Sequence, residues 1–194
     1  MPVKSDTWIV KQCEKLGMIA PFERGQVKLV ERAEGRADKV LSYGPSSYGY
    51  DMRLGTQFRR LSPQEGRAID PKRIDDALLV PFETDQPFDI APHGLVLAQT
   101  LEYFKIPRDI LTICFGKSTY ARCGVFVNVT PFEPEWEGFA TIAISNLTAS
   151  PVRLYPNEGI AQLLFLQADD VCAVSYKDKA GKYQAQQGIT TARV

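Results

Sequence analysis

Metal ligands and disulfide partners are scarce in this chain, which has one histidine and four cysteines. Cys13, Cys114, Cys123 and Cys172 form no Cys-x-x-Cys pair, and three of them sit in apolar runs where a thiol behaves as a small buried hydrophobe. They are expected to be reduced and structural. His93 stands in Ala91-Pro92-His93-Gly94, a turn signature that predicts a surface loop rather than a ligand. Net charge is also missing, since 23 Lys and Arg balance 23 Asp and Glu. No global field draws in nucleic acid or an anionic membrane, so any phosphate site must be local. No stretch approaches the length of a membrane span, and the first residues show no signal-peptide hydrophobic region. The expectation is a cytoplasmic protein that binds neither nucleic acid nor membrane.

What is present is a text of short runs. The 194 residues suit one domain, 1–194, large enough to bury a core without staples. Ser5 or Asp6 can cap a helix with Trp8 or Ile9, Cys13 and Leu16 on one face and Gly17 as its stop. From Ser42 onward the runs are apolar or alternating and broken by Gly, Pro, Asn and Asp. Leu78 to Phe82, Leu95 to Leu101, Ile110 to Phe115, Gly124 to Val129, Thr141 to Ile144, Val152 to Tyr155, Ala161 to Leu166 and Cys172 to Tyr176 are expected strands. Fourteen glycines and thirteen prolines spread throughout suit tight connections in one barrel. Glu31 to Lys39, charged and poor in apolar residues, reads as a surface insertion, and Pro71 to Asp76 as a helical turn. Residues from Lys177 onward read, by composition, as a frayed tail.

Chemistry concentrates at residues 116–122, Gly-Lys-Ser-Thr-Tyr-Ala-Arg, which gather two cations, two hydroxyls and a phenol ahead of a Val/Thr-rich strand segment. A phosphate-cradling P-loop needs a glycine five residues before Gly-Lys, where this chain has Leu111, and a long helix after it, where this chain has the strand pattern of Cys123 to Val129. On the heptapeptide alone, an anion site and a polar turn of solvated charges both stay open.

Five motifs in order decide the wider reading. They are Ser46-Ser47-Tyr48-Gly49-Tyr50-Asp51-Met52-Arg53, Thr100 to Pro107, Thr130-Pro131-Phe132-Glu133-Pro134-Glu135-Trp136-Glu137-Gly138, Asn157 to Gln162, and Gly181-Lys182-Tyr183-Gln184-Ala185-Gln186-Gln187-Gly188. Over nearly its whole length the chain resembles the deoxycytidine triphosphate (dCTP) deaminases of the trimeric dUTPase superfamily. The resemblance implies a mainly β fold, a dUTPase-like distorted β-barrel or jelly roll with a few short helices including an N-terminal one. It also implies a homotrimer with sites between subunits, dCTP as substrate, dUTP as product for thymidylate synthesis, and dTTP as a possible inhibitor. The triphosphate would arrive with Mg2+, held mostly by phosphates and water. Zinc is not expected, because the His/Cys-x-Glu and Pro-Cys-x-x-Cys elements of the zinc nucleobase deaminases are missing.

The resemblance also assigns residues. Ser118 and Arg122 match the pair that orients the family's general acid/base and stabilises developing charge. Lys117, Thr119 and Arg122 offer donors to phosphate or other substrate oxygens, while Tyr120 reads as packing and Ala121 lies within the same stretch. Glu133 matches an acidic position near the sugar, Gln162 one in the nucleotide pocket, and Asn128 to Pro131 a strand that presents backbone to the base. From the residues alone that last segment reads as a core strand. Tyr176, Lys182 and Gln186 belong to a tail that folds over the nucleotide and excludes water. On the strand after Trp136-Glu137-Gly138, the family's Thr-Leu-Glu becomes Thr141-Ile142-Ala143. A methyl group stands where the resemblance places the general acid/base glutamate, which implies an impaired enzyme. Since Ser118, Arg122, Lys182 and Gln186 persist, a single deliberate replacement fits better than the broader erosion of a pseudoenzyme. Two further readings stay open: a bifunctional deaminase and diphosphatase giving dUMP, and a non-catalytic nucleotide-binding protein.

Overall fold

The computed structural model describes residues 2–31 and 35–193. Helix α1, Asp6–Leu16, starts after Ser5 and stops at Gly17, whose φ of 62° is the left-handed conformation that glycine adopts without a Cβ penalty. It buries Ile9 and Cys13, as its spacing predicts, while Leu16, expected on the same face, is exposed at the helix end. The remainder is mainly β, as expected. In chain order the strands are β1 Ile19–Ala20, β2 Val27–Glu31, β3 Ala37–Ser46, β4 Gly49–Leu61, β5 Leu79–Glu83, β6 Phe88–Ile90, β7 Leu95–Lys105, β8 Ile110–Gly116, β9 Val125–Asn128, β10 Glu137–Asn146, β11 Val152–Leu154 and β12 Gly159–Gln167. A second helix, α2, occupies Ser118–Arg122.

β4 joins the two halves of the molecule. Its first residues pair with β3 and β12, with Asp51 opposite both Gly44 and Gln162. Its later residues pair with β5 and β7, after a register shift between Leu54 and Phe58. One strand that changes partners at a bulge is how a β-structure turns a corner and closes over its core. The order β2-β3-β4-β7-β10-β9 follows, with β8 attached through β12 and with β6 and β11 forming a separate pair.

Alternation places the core on one side of β7 and β10. Val96, Ala98 and Phe104 of β7 and Ala140, Ile142 and Ile144 of β10 are buried, while Leu95, Leu97, Thr141 and Ala143 face the other way. Glu102 breaks the apolar pattern of the buried face and is fully enclosed. It accepts from Arg53 Nε at 2.7 Å and Arg53 N at 2.9 Å, and Arg53 also meets Glu23 at 3.0 Å. Burial raises the Glu102 carboxyl above its ordinary range, against the pull of Arg53. Burial likewise opposes the Arg53 cation, but Glu102 outweighs it and holds the guanidinium above its ordinary value.

Cys172 to Tyr176 is not a strand: Val171 and Val174 are exposed, and the carbonyls of Cys172 and Ala173 accept from the Arg108 guanidinium instead of from a sheet partner. Glu31 to Lys39 lies at the surface, as expected, where β2 and β3 pair through Val30 with Asp38 and Glu31 with Ala37; residues 32–34 lie outside the described residues. The helical turn near Pro71 to Asp76 falls instead at Asp76–Leu78, where Asp75 Oδ1 accepts from Ala77 N at 3.0 Å.

Candidate active site

β10 has two different neighbours along the side opposite β7. Ala143 to Asn146 pair with β9, Ala143 lying opposite Asn128, the last residue of that strand. The chain then leaves through Val129 to Phe132, since Pro131 and Pro134 carry no amide proton for a ladder. The expected strand therefore stops short of Val129. Further back along β10, the tail takes over: Phe139 N donates to Gln186 O at 2.9 Å, Gln186 Nε2 donates to Phe139 O at 3.0 Å, and Gly138 forms a parallel bridge with Gln186. A Cβ on Gly138, whose φ is 145°, would stand 2.8 Å from Gln186 N, so glycine there permits the tail's approach.

Between the end of β9 and the tail opens a cavity of about 880 Å³. Its wall includes Thr141, Ala143, Asn128 to Glu133, Tyr176, Lys182 and Gln186, together with the apolar Leu61, Ile69, Ile74, Leu79, Leu95 and Leu97. The two-residue period of β10 explains why Thr141 and Ala143 both reach it. The same period sends Ile142 to the core, where it is fully buried, so its side chain does not face the cavity.

The tail is anchored, not frayed. Gln186 is buried, and its amide donates to Thr141 Oγ1, which also accepts from Thr190 N at 3.1 Å. Trp136 Nε1 donates to Tyr183 O at 2.8 Å, and the Tyr176 hydroxyl accepts from Tyr183 N at 3.0 Å. Lys182 Nζ donates to Arg193 O. Arg108 grips the approach to the tail through Glu135 at 2.6 Å and Asp178 at 2.7 Å, and Lys179 meets Glu133 at 2.5 Å. Backbone donation from Ser175, then the Arg108 guanidinium, lower the Asp178 carboxyl from 3.8 to about 2. Glu135 is also held below its ordinary range, by Ser175 first and Arg108 second.

The remaining site candidates form a second group. Lys117 precedes α2 and bonds Asp51 at 2.7 Å; Gln162, opposite Asp51 in the sheet, donates to Ser46 Oγ at 2.9 Å. Tyr120 is buried and its hydroxyl accepts from Tyr155 N at 3.1 Å, in keeping with a packing role. Ser118, Thr119, Ala121 and Arg122 are exposed, with Arg122 donating to Ser118 O at 2.9 Å. None of this group lines the cavity that holds Ala143. Asp51, Trp136, Tyr183 and Thr190 also belong to these groups although the sequence does not mark them individually as candidates. Asp51, Trp136 and Tyr183 each stand inside one of the five motifs, which is the signal that points to them; Thr190 lies outside all five. Among the described residues, no three His, Cys, Asp or Glu side chains gather as a metal site, and no helix is long and apolar enough to cross a membrane.

A family model for dCTP deaminase-like proteins matches residues 3–168. The chain is 53% identical over 190 residues to a dCTP deaminase of Acidovorax sp. (strain JS42), covering 98% of each, and 51% identical over 194 residues to one of Nitrosomonas eutropha, covering all of both. Its fold is similar to a crystal structure of 2'-deoxycytidine 5'-triphosphate deaminase from Agrobacterium tumefaciens, with a TM-score of 0.57 and 15% identity. That match covers 84% of this chain and 47% of the other.

Proposed function

Because this chain belongs to the dCTP deaminase-like family, we propose that it is built to convert dCTP and water to dUTP and ammonia, with position 143 as the point where its own catalysis is impaired. The observation that carries this reading is the cavity wall: Thr141, Ala143, Glu133, Tyr176, Lys182 and Gln186 come from a strand, a turn and a tail to face one space. Hydrolytic deamination at C4 of cytosine needs a water aimed at that carbon, a proton for N3 and a proton for the departing amine. A carboxyl group at position 143 could serve all three moves. The Ala143 methyl can serve none, and the loss of a positioned acid/base costs roughly a hundredfold to ten-thousandfold in rate.

The backbone from Asn128 to Pro131 lies beside the cytosine edge, Glu133 by the sugar, and Lys182 and Gln186 toward the triphosphate. Ser118, Thr119 and Arg122 reach the site from a neighbouring copy, which accounts for their exposure in a chain whose cavity they do not line. A homotrimer closes that arrangement with three equivalent sites. Glu133, engaged with Lys179, is no cage for an ion, so Mg2+ enters with the phosphates and its chemistry is charge neutralisation of the triphosphate. dTTP, which shares the sugar and triphosphate, is the expected inhibitor, and the cytoplasm the expected compartment.

The test is chromatography of dCTP incubated with Mg2+ and either this chain or its Ala143→Glu variant. The expected result is dUTP from the glutamate form and little or none from the alanine form. dUMP would assign the bifunctional activity. No product from either form would overturn the deaminase reading, and tight dCTP binding without product would make the chain a nucleotide-binding protein.

A further inference from the structure

Among the described residues, buried charge outside the cavity is concentrated in two ion pairs. Glu102 with Arg53 ties β7 to β4 inside the core. Asp51 with Lys117 is different, because it lies directly under α2, whose outward side chains are Ser118, Thr119 and Arg122. Only 7% of the Asp51 side chain and 12% of the Lys117 side chain are exposed, and their 2.7 Å contact joins positions 66 residues apart. Ammonium and carboxylate groups are rarely enclosed unless paired, so the pair is a fixed point and not a surface accident.

The start of α2 is held by three constraints that meet at Lys117. A Cβ on Gly116 would approach Val127 Cβ at 3.0 Å, so β8 and β9 close tightly just before the helix. Lys117 N donates to Ile160 O of β12 at 3.0 Å. Lys117 Nζ reaches inward to Asp51, and one turn later the buried Tyr120 reaches Tyr155. Lys117 and Tyr120, three residues apart, thus form the inner side of this single turn. The backbone bond and the glycine fix position; the ion pair fixes the direction in which residue 117 points and hence how the turn presents its outer face.

We propose that Asp51 is a positioning residue for nucleotide binding: through Lys117 it sets the pose of the turn that carries Ser118, Thr119 and Arg122. This rests on the reading of that turn as part of the dCTP site. Asp51 itself touches no substrate, and its effect passes through the ammonium it holds.

A double-mutant cycle on this chain, with dCTP and Mg2+ binding followed by calorimetry and thermal melting recorded for each protein, tests the proposal. Asp51→Asn and Lys117→Met are each expected to weaken dCTP about tenfold, and the double variant to be no weaker than the worse single one, because both remove the same link. Asp51→Glu, which keeps the charge, is expected to recover most of the loss. The double variant also guards against misfolding, since it leaves no unpaired buried charge. Additive losses, near a hundredfold in the double variant, would overturn the proposal, as would an unchanged affinity in Asp51→Asn or a fall in melting temperature with full affinity in the folded protein. No dCTP binding by the unsubstituted chain would instead overturn the assignment of the site, and this proposal with it.

Discussion

Thr141→Val removes one oxygen and keeps the side-chain volume, which isolates what that oxygen does for the tail. Thr141 Oγ1 accepts two hydrogen bonds, from the Gln186 amide and from Thr190 N. At about 1 kcal/mol net for each bond, their loss makes local opening of the tail about 2 kcal/mol easier, or roughly thirtyfold more frequent. Valine is β-branched like threonine and suits β10, so the sheet itself is not weakened. Hydrogen exchange read on the tail peptide 183–190, with β7 and β12 peptides as internal reference, measures the effect directly. Expected are a roughly thirtyfold faster exchange in the tail, no change in the reference strands, and recovery in Thr141→Ser, which restores the acceptor. Unchanged tail protection would refute the latch, and equal acceleration in β7 would show that Thr141 supports the fold as a whole.

Glu102→Gln leaves the Arg53 guanidinium in the core without its main counter-charge, a loss of about 3–5 kcal/mol when one partner of a buried pair is removed. For a chain of this length that lowers the melting temperature by roughly 6–20 °C; calorimetry showing a shift of a degree or less would sink the assignment. Acid is expected to release the approach to the tail. Asp178 is depressed from 3.8 to about 2 in the fold, so its contribution is complete above pH 4 and is lost as pH falls through about 2. Trp136 fluorescence should therefore stay flat from pH 8 to pH 5 and change between pH 4 and 2, and Arg108→Met should move that change to higher pH; a transition centred above pH 5 would contradict it.

Much of the fold is legible in alternation and punctuation, because a sheet with one buried face writes its period into the sequence. β7, β8, β10 and β12 follow from runs such as Leu95 to Leu101, and α1 from Ser5 and Gly17. β4 is not legible in that way: Arg53, Arg59 and Arg60 interrupt it, and Arg53 makes sense in a strand only once Glu102, some fifty positions on, is beside it. Cys172 to Tyr176 shows the opposite failure, a β-prone run with no partner strand to receive it. The tail is misread by composition for a related reason, since its Gln and Thr bond to β10, and polar partners distant in sequence leave no periodic trace. Within the site, the period of β10 separates Ala143 from Ile142, yet nothing in the sequence says that Lys117 turns inward to Asp51 while Ser118 and Arg122 stay exposed.

The bridge between Gly138 and Gln186 has a consequence for solubility as well as for the pocket. β9 covers only the last four residues of β10, and the tail supplies main-chain partners to the strand's beginning. A chain clipped near Gly181 would carry a bare stretch of strand at an open sheet margin, flanked by the aromatic rings of Trp136 and Phe139. Such a margin is a template for a second molecule, and self-association into β-paired aggregates follows from it. The same few residues that cover the pocket thereby also keep the sheet from growing.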